Sequence, residues 1–398
     1  MSILTYGSSA LAIQEPLPMA SKWLNDSTSY CRDDVSVSFT DISEMLEFLT
    51  ARENKADWLT GEEISKLSLL LLGDSICVHT SSTEVVNDTT SGTELVLKMS
   101  HNPQIPLRIC AIPSLLARAK ISGAALNKVE KYVFRDILNE CLKVASKTAT
   151  AQIRFADDKI SAVLSSEYVP LSMPKIFEMA TEYLVNRFPR LNFSGGHWSH
   201  TLTGADIELT GEDSLIQTYK DALTKHSVKH EELHPGISLT SSDIGVSGVN
   251  LVPKLVIGKD AMSLPLGRPL GLEHKGDASF SKLSENLDGV FSLYGEHLRR
   301  LAMLLDVEIA NPVSCIIGVM KRIGIQKKYA MPAIESFSAK LIDGCCTAHD
   351  IYFGLGELLF LLQMDNAAGE QILRMEESIA KALVLNFKEY DYPGDVKW

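Results

Sequence analysis

The fold is decided by residues 236–262, which read GISLTSSDIGVSGVNLVPKLVIGKDAM. Two apolar, β-branched runs stand on either side of a polar, glycine-containing turn at residues 241–248. Apolar runs separated by turn-forming residues predict two neighbouring strands. A charged turn, Glu-His-Lys-Gly-Asp, follows at residues 273–277, just before a long helical pattern begins near residue 280. The centre of the chain therefore predicts a sheet that is followed by helices.

The rest of the chain extends this pattern on both sides. Apolar residues at helical spacing predict helices over residues 41–51, 64–72, 126–146, 173–188, 213–230, 281–306, 312–323, 332–342, 347–364 and 366–386. Alternating or β-branched runs predict strands at residues 75–79 and 93–99, a hairpin over 153–164, and a second hairpin over 198–209 that turns around Gly204. The polar residues 81–92 are expected to form a mobile loop.

Together these elements predict an α+β fold, in which a mixed, mainly antiparallel sheet is flanked by helices and followed by a helical C-terminal bundle. We expect an N-terminal α+β subdomain (1–100), a central α+β core domain (101–278) and a C-terminal helical subdomain (279–398). Side chains that favour helix N-caps stand before four of the helices, namely Asp41, Ser172, Thr347 and Asn366.

Composition and charge narrow the function classes. The chain has 398 residues, of which 45% are hydrophobic, so it is long enough to bury a large core. Its formal net charge of −12 disfavours a protein that coats duplex DNA, because such proteins gain affinity from a surplus of basic residues. No apolar run approaches the length of a membrane span, and the N-terminus lacks the basic and apolar regions of a secretory signal.

The cysteines favour a reducing compartment. Their number, seven, is odd, and Cys345 is adjacent to Cys346, which is not the pattern of a disulfide framework. No Cys-x-x-Cys motif occurs, so neither a zinc ribbon nor a dithiol redox site is predicted. We therefore expect a reduced protein in the cytoplasm of its cell.

The order of a Ser-Ser-Asp strand end (241–243), an apolar strand (249–257) and the Glu-His-Lys-Gly-Asp turn (273–277) resembles the core signature of a family of unknown function. That family is encoded by phages, prophages and conjugative plasmids and is often labelled phage/plasmid-like protein. The stretch from Thr347, Thr-Ala-His-Asp-Ile-Tyr-Phe, is similar to the C-terminal helices of its plasmid-type members. The chain departs from the family at residues 254–260, where Lys-Leu-Val-Ile-Gly-Lys-Asp replaces an Arg-x-x-Cys-x-Asn-Gly element. The resemblance implies a mobile-element origin but no reaction.

Four residues of this signature, Asp243, His274, Lys275 and Asp277, are the candidate functional site. If the two turns meet at one edge of the sheet, two carboxylates and an imidazole converge and could bind a divalent metal ion or transfer protons. The alternative interpretation is structural. Asp243 would then close an Asx turn before Gly245, and Asp277 would cap a helix that begins near residue 278.

Histidine spacing offers weaker candidates for a metal site. His226, His230 and His234 would lie on one face if a single helix continued through them, and two histidines four residues apart are a known ligand spacing. His197 and His200, in the second predicted hairpin, form another pair. The alternative is a solvated helix end, because helix C-termini favour Lys and His. No metal ligand set is predicted from these pairs.

Basic residues in the C-terminal third are the candidate nucleic-acid contacts. They are Arg299, Arg300, Lys321, Arg322, Lys327 and Lys328. Single-strand binding surfaces combine such charges with exposed aromatic rings on which bases stack. A run of charges is also typical of a solvated helix face, and both interpretations stay open here.

The features together favour a non-enzymatic binding protein, encoded by a phage or plasmid, that acts in the cytoplasm of a bacterial host on a macromolecule of the host or of the element. A host-defence inhibitor and an accessory of replication or recombination both fit. The alternatives are a metal-dependent nucleic-acid-processing enzyme that uses Asp243, His274 and Asp277, or a single-strand DNA-binding or annealing protein. No motif predicts a catalytic residue or a cofactor.

A host or phage protein is the favoured partner, ahead of nucleic acid. Single-stranded DNA and a homo-oligomer remain alternatives, and no membrane partner is expected. The preference for a protein partner over nucleic acid rests on the charge balance, because a protein with a net negative charge repels polyanions at long range.

All seven cysteines should titrate as free thiols when the protein is purified anaerobically and denatured, because nothing in their spacing predicts bridges. A thiol-reactive chromophore in denaturant measures this directly. Fewer than about five reactive thiols would contradict a reducing compartment.

Overall fold

The computed structural model describes residues 29–101, 103–188, 190–230, 232–258, 262–341, 346–365, 367, 369–394 and 396–398. The strands are β1 (Ser36–Phe39), β2 (Ala56–Glu63), β3 (Ser68–Leu71), β4 (Leu95–Lys98), β5 (Gln104–Pro106), β6 (Thr150–Ala156), β7 (Lys159–Ser165), β8 (Asn192–Ser199), β9 (Thr203–Glu208), β10 (Leu233–Ser241), β11 (Val249–Ile257), β12 (Met262–Pro265), β13 (Leu270–Leu272), β14 (Glu308–Ile309) and β15 (Cys346–Thr347). The helices are α1 (Ile42–Asn54), α2 (Cys77–Thr80), α3 (Thr83–Ser91), α4 (Ile112–Ala119), α5 (Lys131–Lys143), α6 (Met173–Arg187), α7 (Asp213–Lys225), α8 (Phe280–Met303), α9 (Pro312–Arg322), α10 (Lys327–Lys340), α11 (Ala348–Met364) and α12 (Gly369–Ala382).

The predicted fold class is confirmed: mainly antiparallel sheets are flanked by helices, and the C-terminal region is helical. The largest sheet has the strand order β1-β8-β9-β10-β11-β12, with β13 also paired to β11. The two strands predicted from residues 236–262 are β10 and β11, which pair antiparallel with Leu239 opposite Leu251. Smaller sheets are formed by β2-β6-β7, β3-β4-β5 and β14-β15.

Alternation along the strands gives the large sheet one apolar and one polar face. On β9 and β10, Ile207, Ile237 and Leu239 are buried in a core that also contains apolar side chains of α1, α6 and α8. The residues between them, such as Asp206 and Ser238, point to the opposite face because successive side chains of a strand alternate. The helices therefore cover one face of the sheet and leave the polar face to line a cavity.

Helix α8 connects two cores. Leu283 and Leu287 in its first half belong to the core beneath the large sheet. Leu298 and Leu301 in its second half belong to a core built from α7, α9, α10, α11 and α12. A third core lies between α4, α5 and the two three-stranded sheets. Strands from the predicted N-terminal and central parts pair with each other, β1 with β8 and β2 with β6. The division into three subdomains stays a prediction.

A buried ion network ties the N-terminal segments together. Its members are Arg52, Arg108, Lys159, Asp33, Asp88 and Asp157. Arg108, which has no exposed surface, donates hydrogen bonds to the carbonyl oxygens of Tyr30 at 2.7 Å and Cys31 at 2.9 Å. Lys159, also fully buried, donates to Asp33 at 2.9 Å and Asp88 at 2.6 Å. Each buried charge therefore has a partner of opposite sign, which burial demands.

Several local predictions are confirmed. Asp41 caps α1, where its carboxylate accepts from the backbone N–H of Ser43 at 2.8 Å and of Glu44 at 3.1 Å. Ser172 caps α6, and Thr347 caps α11 with a reciprocal capping box. The hairpin over residues 153–164 is formed by β6 and β7. Asn366 lies outside the described residues.

Three predictions in the first hundred residues are wrong. Residues 81–92 are not a loop but mostly helix α3, because the Ser82 hydroxyl caps it and Val85 and Thr89, one turn apart, are both buried. The run 75–79, predicted as a strand, ends in the short helix α2. Residues 64–72 form a 3₁₀ turn and then strand β3 instead of a helix, since Leu69 pairs with Leu97 of β4.

Other corrections concern element ends. The second hairpin turns at residues 199–202, and Gly204 lies within β9. Helix α7 ends at Lys225 rather than near residue 230, and α5 is shorter than predicted at both ends. Helix α10 begins at Lys327, five residues before the predicted start, and includes Pro332.

Replacing Arg108 tests the ion network. Arg108→Ala should lower the free energy of unfolding by about 3–5 kcal/mol, because the carbonyls of Tyr30 and Cys31 lose this donor and the carboxylates of Asp33 and Asp157 each lose one of their two cations. Urea unfolding followed by circular dichroism measures the change. Arg300→Ala is the control, since its pair with Glu296 is exposed and should change stability by no more than about 0.5 kcal/mol. Equal effects of the two substitutions would contradict the role assigned to Arg108.

Candidate binding cleft

Asp243 and His274, two of the predicted site residues, lie near each other, with Asp243 half-buried and His274 buried. Asp243 forms a salt bridge with Arg154 of β6. His274 is 4% exposed and stacks on Tyr168 with ring centroids 5.2 Å apart. Its Nδ1 lies 3.3 Å from the Val169 carbonyl oxygen and its Nε2 lies 3.4 Å from the Ser241 hydroxyl. Burial lowers the pKa of His274, so the ring is neutral at neutral pH.

The other two predicted residues lie at the surface. The Lys275 ammonium is 3.5 Å from the Glu273 carboxylate, and Asp277 pairs with Lys282 of α8. Asp277 does not cap the helix, as the structural interpretation predicted, because α8 begins later and its N-cap is Ser279. The turn after β10 is closed by the Ser242 hydroxyl, which accepts from the backbone N–H of Ile244 and Val246, and not by Asp243.

The six candidate nucleic-acid residues lie on α8, α9 and α10, and none of them lines the cleft described below. Several already have partners within the chain. Arg300 pairs with Glu296 at 2.8 Å, and Lys321 donates to the Lys397 carbonyl oxygen at 2.6 Å. The Lys328 ammonium lies 4.3 Å from the centre of the Tyr329 ring.

The three spaced histidines do not share a helix. His226 follows the end of α7 and lies 3.2 Å from Asp306. His234 is in strand β10, where it lies 3.4 Å from Glu232. The helix stops short because Ser227 adopts a left-handed conformation with φ of 56°. Within the described ranges, no group of three or more His, Cys, Asp or Glu is placed to hold a metal ion.

A cleft of about 1530 Å³ lies over the polar face of the large sheet. Strands β8, β9, β10 and β11 form its floor. One wall comes from α3, α4 and β7, and the opposite wall comes from α12. A cavity of this size exceeds what a small metabolite requires and is large enough for a segment of polypeptide.

The register of the strands fixes which side chains form the floor. Asp206 of β9 is opposite Ser238 of β10, and in the next row Gly204 is opposite Thr240. His197 of β8 is opposite Gly204. All five residues line the same face, because residues opposite each other in a sheet share a face and side chains two positions apart also do.

A buried ion triad lies at one end of this floor. The Lys254 ammonium donates to Asp206 at 2.8 Å and pairs with Glu376 of α12 at 2.7 Å. Gly236, opposite Lys254, leaves space for the lysine side chain to cross β10 and reach β9. The side chains of Lys254 and Glu376 are 6% and 7% exposed, whereas that of Asp206 is 47% exposed because it faces the cavity.

The pKa values of the triad follow from burial and pairing. Burial acts to lower the pKa of Lys254, but the carboxylates of Asp206 and Glu376 outweigh it and raise that pKa. Burial raises the pKa of Glu376 despite the attraction of Lys254. Burial would also raise the pKa of Asp206, but the lysine and a hydrogen bond from Ser238 lower it. Asp206 is therefore the carboxylate that stays ionised at the open end of the triad.

His197 and Thr240 add unpartnered polar atoms to the floor. The His197 ring lies over Gly204, where a Cβ atom would come within 2.3 Å of it. Its Nε2 is buried without a hydrogen-bond partner among the described residues, and burial lowers its pKa. Thr240 is 4% exposed, and its hydroxyl also lacks a partner in the described chain. Buried polar atoms without partners are rare in folded proteins and call for an explanation.

The lining of the cleft is acidic. Its lining contains four basic side chains and seven carboxylates. The carboxylates are those of Asp33, Asp34, Asp88, Asp206, Glu208, Glu370 and Glu376. Asp33 and Asp88 also belong to the buried ion network, so the same residues brace the N-terminal segments and shape one wall. Carboxylates therefore outnumber basic side chains on the surface of the cleft.

Of the floor residues, sequence analysis named only His197, as part of the weaker histidine pair His197 and His200, both of which line the cleft. Lys275 of the signature also lines the cleft. A signal was present for Lys254, because a single charge within the apolar run 249–257 needs a buried partner. Asp206 and Ser238 also each stand between two apolar residues. Glu376, the second partner of Lys254, lies far from it in the sequence, and no local pattern connects Glu376 with β11.

No protein-family model, curated protein or solved structure matches the chain. The resemblance to phage and plasmid proteins therefore stays a prediction. Among the residues described, none of the helices combines the length and the apolarity that crossing a bilayer requires.

Replacing Lys254 tests the triad. Lys254→Met should lower the free energy of unfolding by about 3–5 kcal/mol at neutral pH, because two carboxylates lose their buried counter-ion. Without the ammonium, the pKa of both carboxyls in the folded state rises. Carboxyls with a raised folded-state pKa favour the folded state at low pH and disfavour it as the pH rises. The difference in the free energy of unfolding between the variant and the unmodified protein should therefore become smaller as the pH falls.

Urea unfolding at several pH values measures this difference. Lys282→Met is the matched control, because Lys282 pairs with Asp277 at the surface and the substitution should change stability by less than about 1 kcal/mol at any pH. A destabilisation by Lys254→Met that does not vary with pH would show that lost packing, rather than unpaired charge, is responsible.

Proposed function

We propose that this chain is a binding protein, encoded by a phage or plasmid, that acts in the cytoplasm of the host by holding a segment of a host or element protein in its cleft. The observation that carries the proposal is the cleft itself, about 1530 Å³ with an acidic lining over the polar face of the large sheet. The mobile-element origin rests on the resemblance of residues 241–277 alone.

Charge supports a protein partner over nucleic acid. Binding to nucleic acid gains much of its free energy from neutralising phosphates with basic residues, whereas this lining has more carboxylates than cations. The candidate basic residues on α8 to α10 lie outside the cleft, and Arg300 and Lys321 are engaged by Glu296 and the Lys397 carbonyl. Interference with a host-defence protein and support of replication or recombination are both consistent with capture of a polypeptide segment.

The proposal is tested with a library of random linear peptides displayed on phage. Peptides selected on the purified protein should bind in solution, as measured by fluorescence anisotropy. Ala117→Trp should weaken that binding by about tenfold, since Ala117 is an exposed residue of α4 that lines the cleft. Ala339→Trp, at an exposed position of α10, is the matched control and should leave binding unchanged.

A parallel measurement uses labelled oligo-deoxythymidine at two salt concentrations. Tight binding of this oligonucleotide with a steep salt dependence, together with no peptide that is sensitive to Ala117→Trp, would overturn the proposal in favour of a single-strand DNA-binding protein. Stoichiometric metal in the purified protein, lost together with nuclease activity in Asp243→Asn, would favour the enzyme instead.

A further inference from the structure

The floor of the cleft contains acceptors that the chain itself does not use. The Asp206 carboxylate is bonded by Lys254 and Ser238 but is still 47% exposed to the cavity. The Thr240 hydroxyl and the His197 Nε2 have no partner in the described chain. These three groups lie on neighbouring positions of β8, β9 and β10, on one face of the sheet.

We infer that Asp206, Thr240 and His197 form a subsite for the ammonium or guanidinium group of a basic side chain, a lysine or arginine presented by the bound polypeptide segment. This inference rests on the proposed function, and it names the chemistry that the cleft selects.

Spacing makes the subsite fit one cationic group. Thr240 is opposite Gly204, two residues from Asp206 on β9, so the two residues are diagonal neighbours whose Cα atoms lie about 7–8 Å apart. A group placed between their side chains is within hydrogen-bond reach of both. An ammonium has three donors and a guanidinium has five, whereas the acceptors offered are a carboxylate, a hydroxyl and an imidazole nitrogen.

The charge of the floor agrees with a cation. Asp206 is the open member of the triad, and its pairing with Lys254 lowers its pKa, so it presents an ionised carboxylate to the cavity. His197 has its pKa lowered by burial and contributes a neutral ring, whose unprotonated nitrogen accepts a hydrogen bond. A hydrogen bond to a carboxylate from a charged donor is about twice as strong as one between neutral groups.

Gly204 is the residue that makes room for this arrangement. Its φ is not in the left-handed region, so its role is the missing side chain and not its backbone conformation. Any Cβ at this position would meet the His197 ring. The glycine leaves room for the imidazole, whose Nε2 also lies against Gly369 of α12, where a Cβ atom would come within 2.7 Å of it.

The test uses four acetylated tripeptide amides, Gly-X-Gly, in which X is lysine, arginine, norleucine or glutamate. Binding is measured by saturation-transfer NMR and by competition with a cleft-binding peptide where one has been selected. The lysine and arginine peptides should bind, and the norleucine peptide, which keeps the four side-chain carbons of lysine but lacks the ammonium group, should bind about tenfold more weakly. The glutamate peptide should give no signal.

Two variants locate the binding. Asp206→Asn keeps an oxygen for Lys254 and should weaken binding of the lysine peptide by about tenfold. Thr240→Val should weaken it by about threefold to fivefold while leaving the fold at least as stable, because an unpartnered buried hydroxyl is replaced by a methyl group. Asp221→Asn, an exposed change on α7 with the same loss of charge, is the matched control and should have no effect.

Equal binding of the norleucine and lysine peptides, or full binding by Thr240→Val and Asp206→Asn, would overturn the inference. If Asp206→Asn does not fold, Thr240→Val decides alone. Selected peptides whose binding is weakened by Ala117→Trp but not by Asp206→Asn or Thr240→Val would contradict the subsite and leave the proposed function intact. If Asp206→Asn weakens binding of the lysine peptide but no cleft-binding peptide can be selected, the cleft holds a site for small cations and the proposed function is contradicted.

Discussion

The architecture depends on a single guanidinium group that has been removed from water. Arg108 donates to backbone carbonyls of the segment that precedes β1 and contacts Asp33, Asp157 and His200. These partners belong to three separate parts of the chain, and each part presents an oxygen or nitrogen atom to Arg108. The large sheet and the smaller sheets are thereby joined by polar contacts as well as by apolar packing. A buried arginine of this kind is a weak source of net stability but a strict requirement on geometry.

The same constraint shapes the cleft. Asp33 and Asp88 are held by Lys159 and Arg108, and they also stand in the cleft wall, so the wall has the position that the ion network imposes. On the other side, Glu376 draws α12 onto the floor through Lys254. Both walls are thus attached to the sheet by charge pairs, and three of the lining carboxylates, Asp33, Asp34 and Asp88, pair with cations that lie behind the lining. Structure and binding chemistry use the same set of residues.

Features set by neighbouring residues could be predicted from the sequence. Residues a few positions apart determine the caps at Asp41, Ser172 and Thr347 and the hairpin of β6 and β7. The two apolar runs on either side of a polar turn predicted β10 and β11. Helix α3 was missed because its residues are turn formers by composition, and only the burial of Val85 and Thr89 shows why they are helical.

The site could not be predicted in the same way. The strand order brings β1 beside β8 and places Lys254 against Glu376, and these pairings are decided by packing between distant segments. The signature residues drew attention to His274, but its ring is enclosed by Tyr168 and neighbouring polar atoms. The polar face of the sheet, a few residues away, lacked any recognisable motif.

The sharing of α8 between two cores has a mechanical consequence. Leu287 anchors the helix beneath the large sheet, and Leu298 anchors it among the C-terminal helices. A continuous helix resists bending, because each turn is tied to the next by backbone hydrogen bonds. A pulling force on the C-terminal helices is therefore transmitted to the large sheet through α8. The two cores should unfold together under force instead of one after the other.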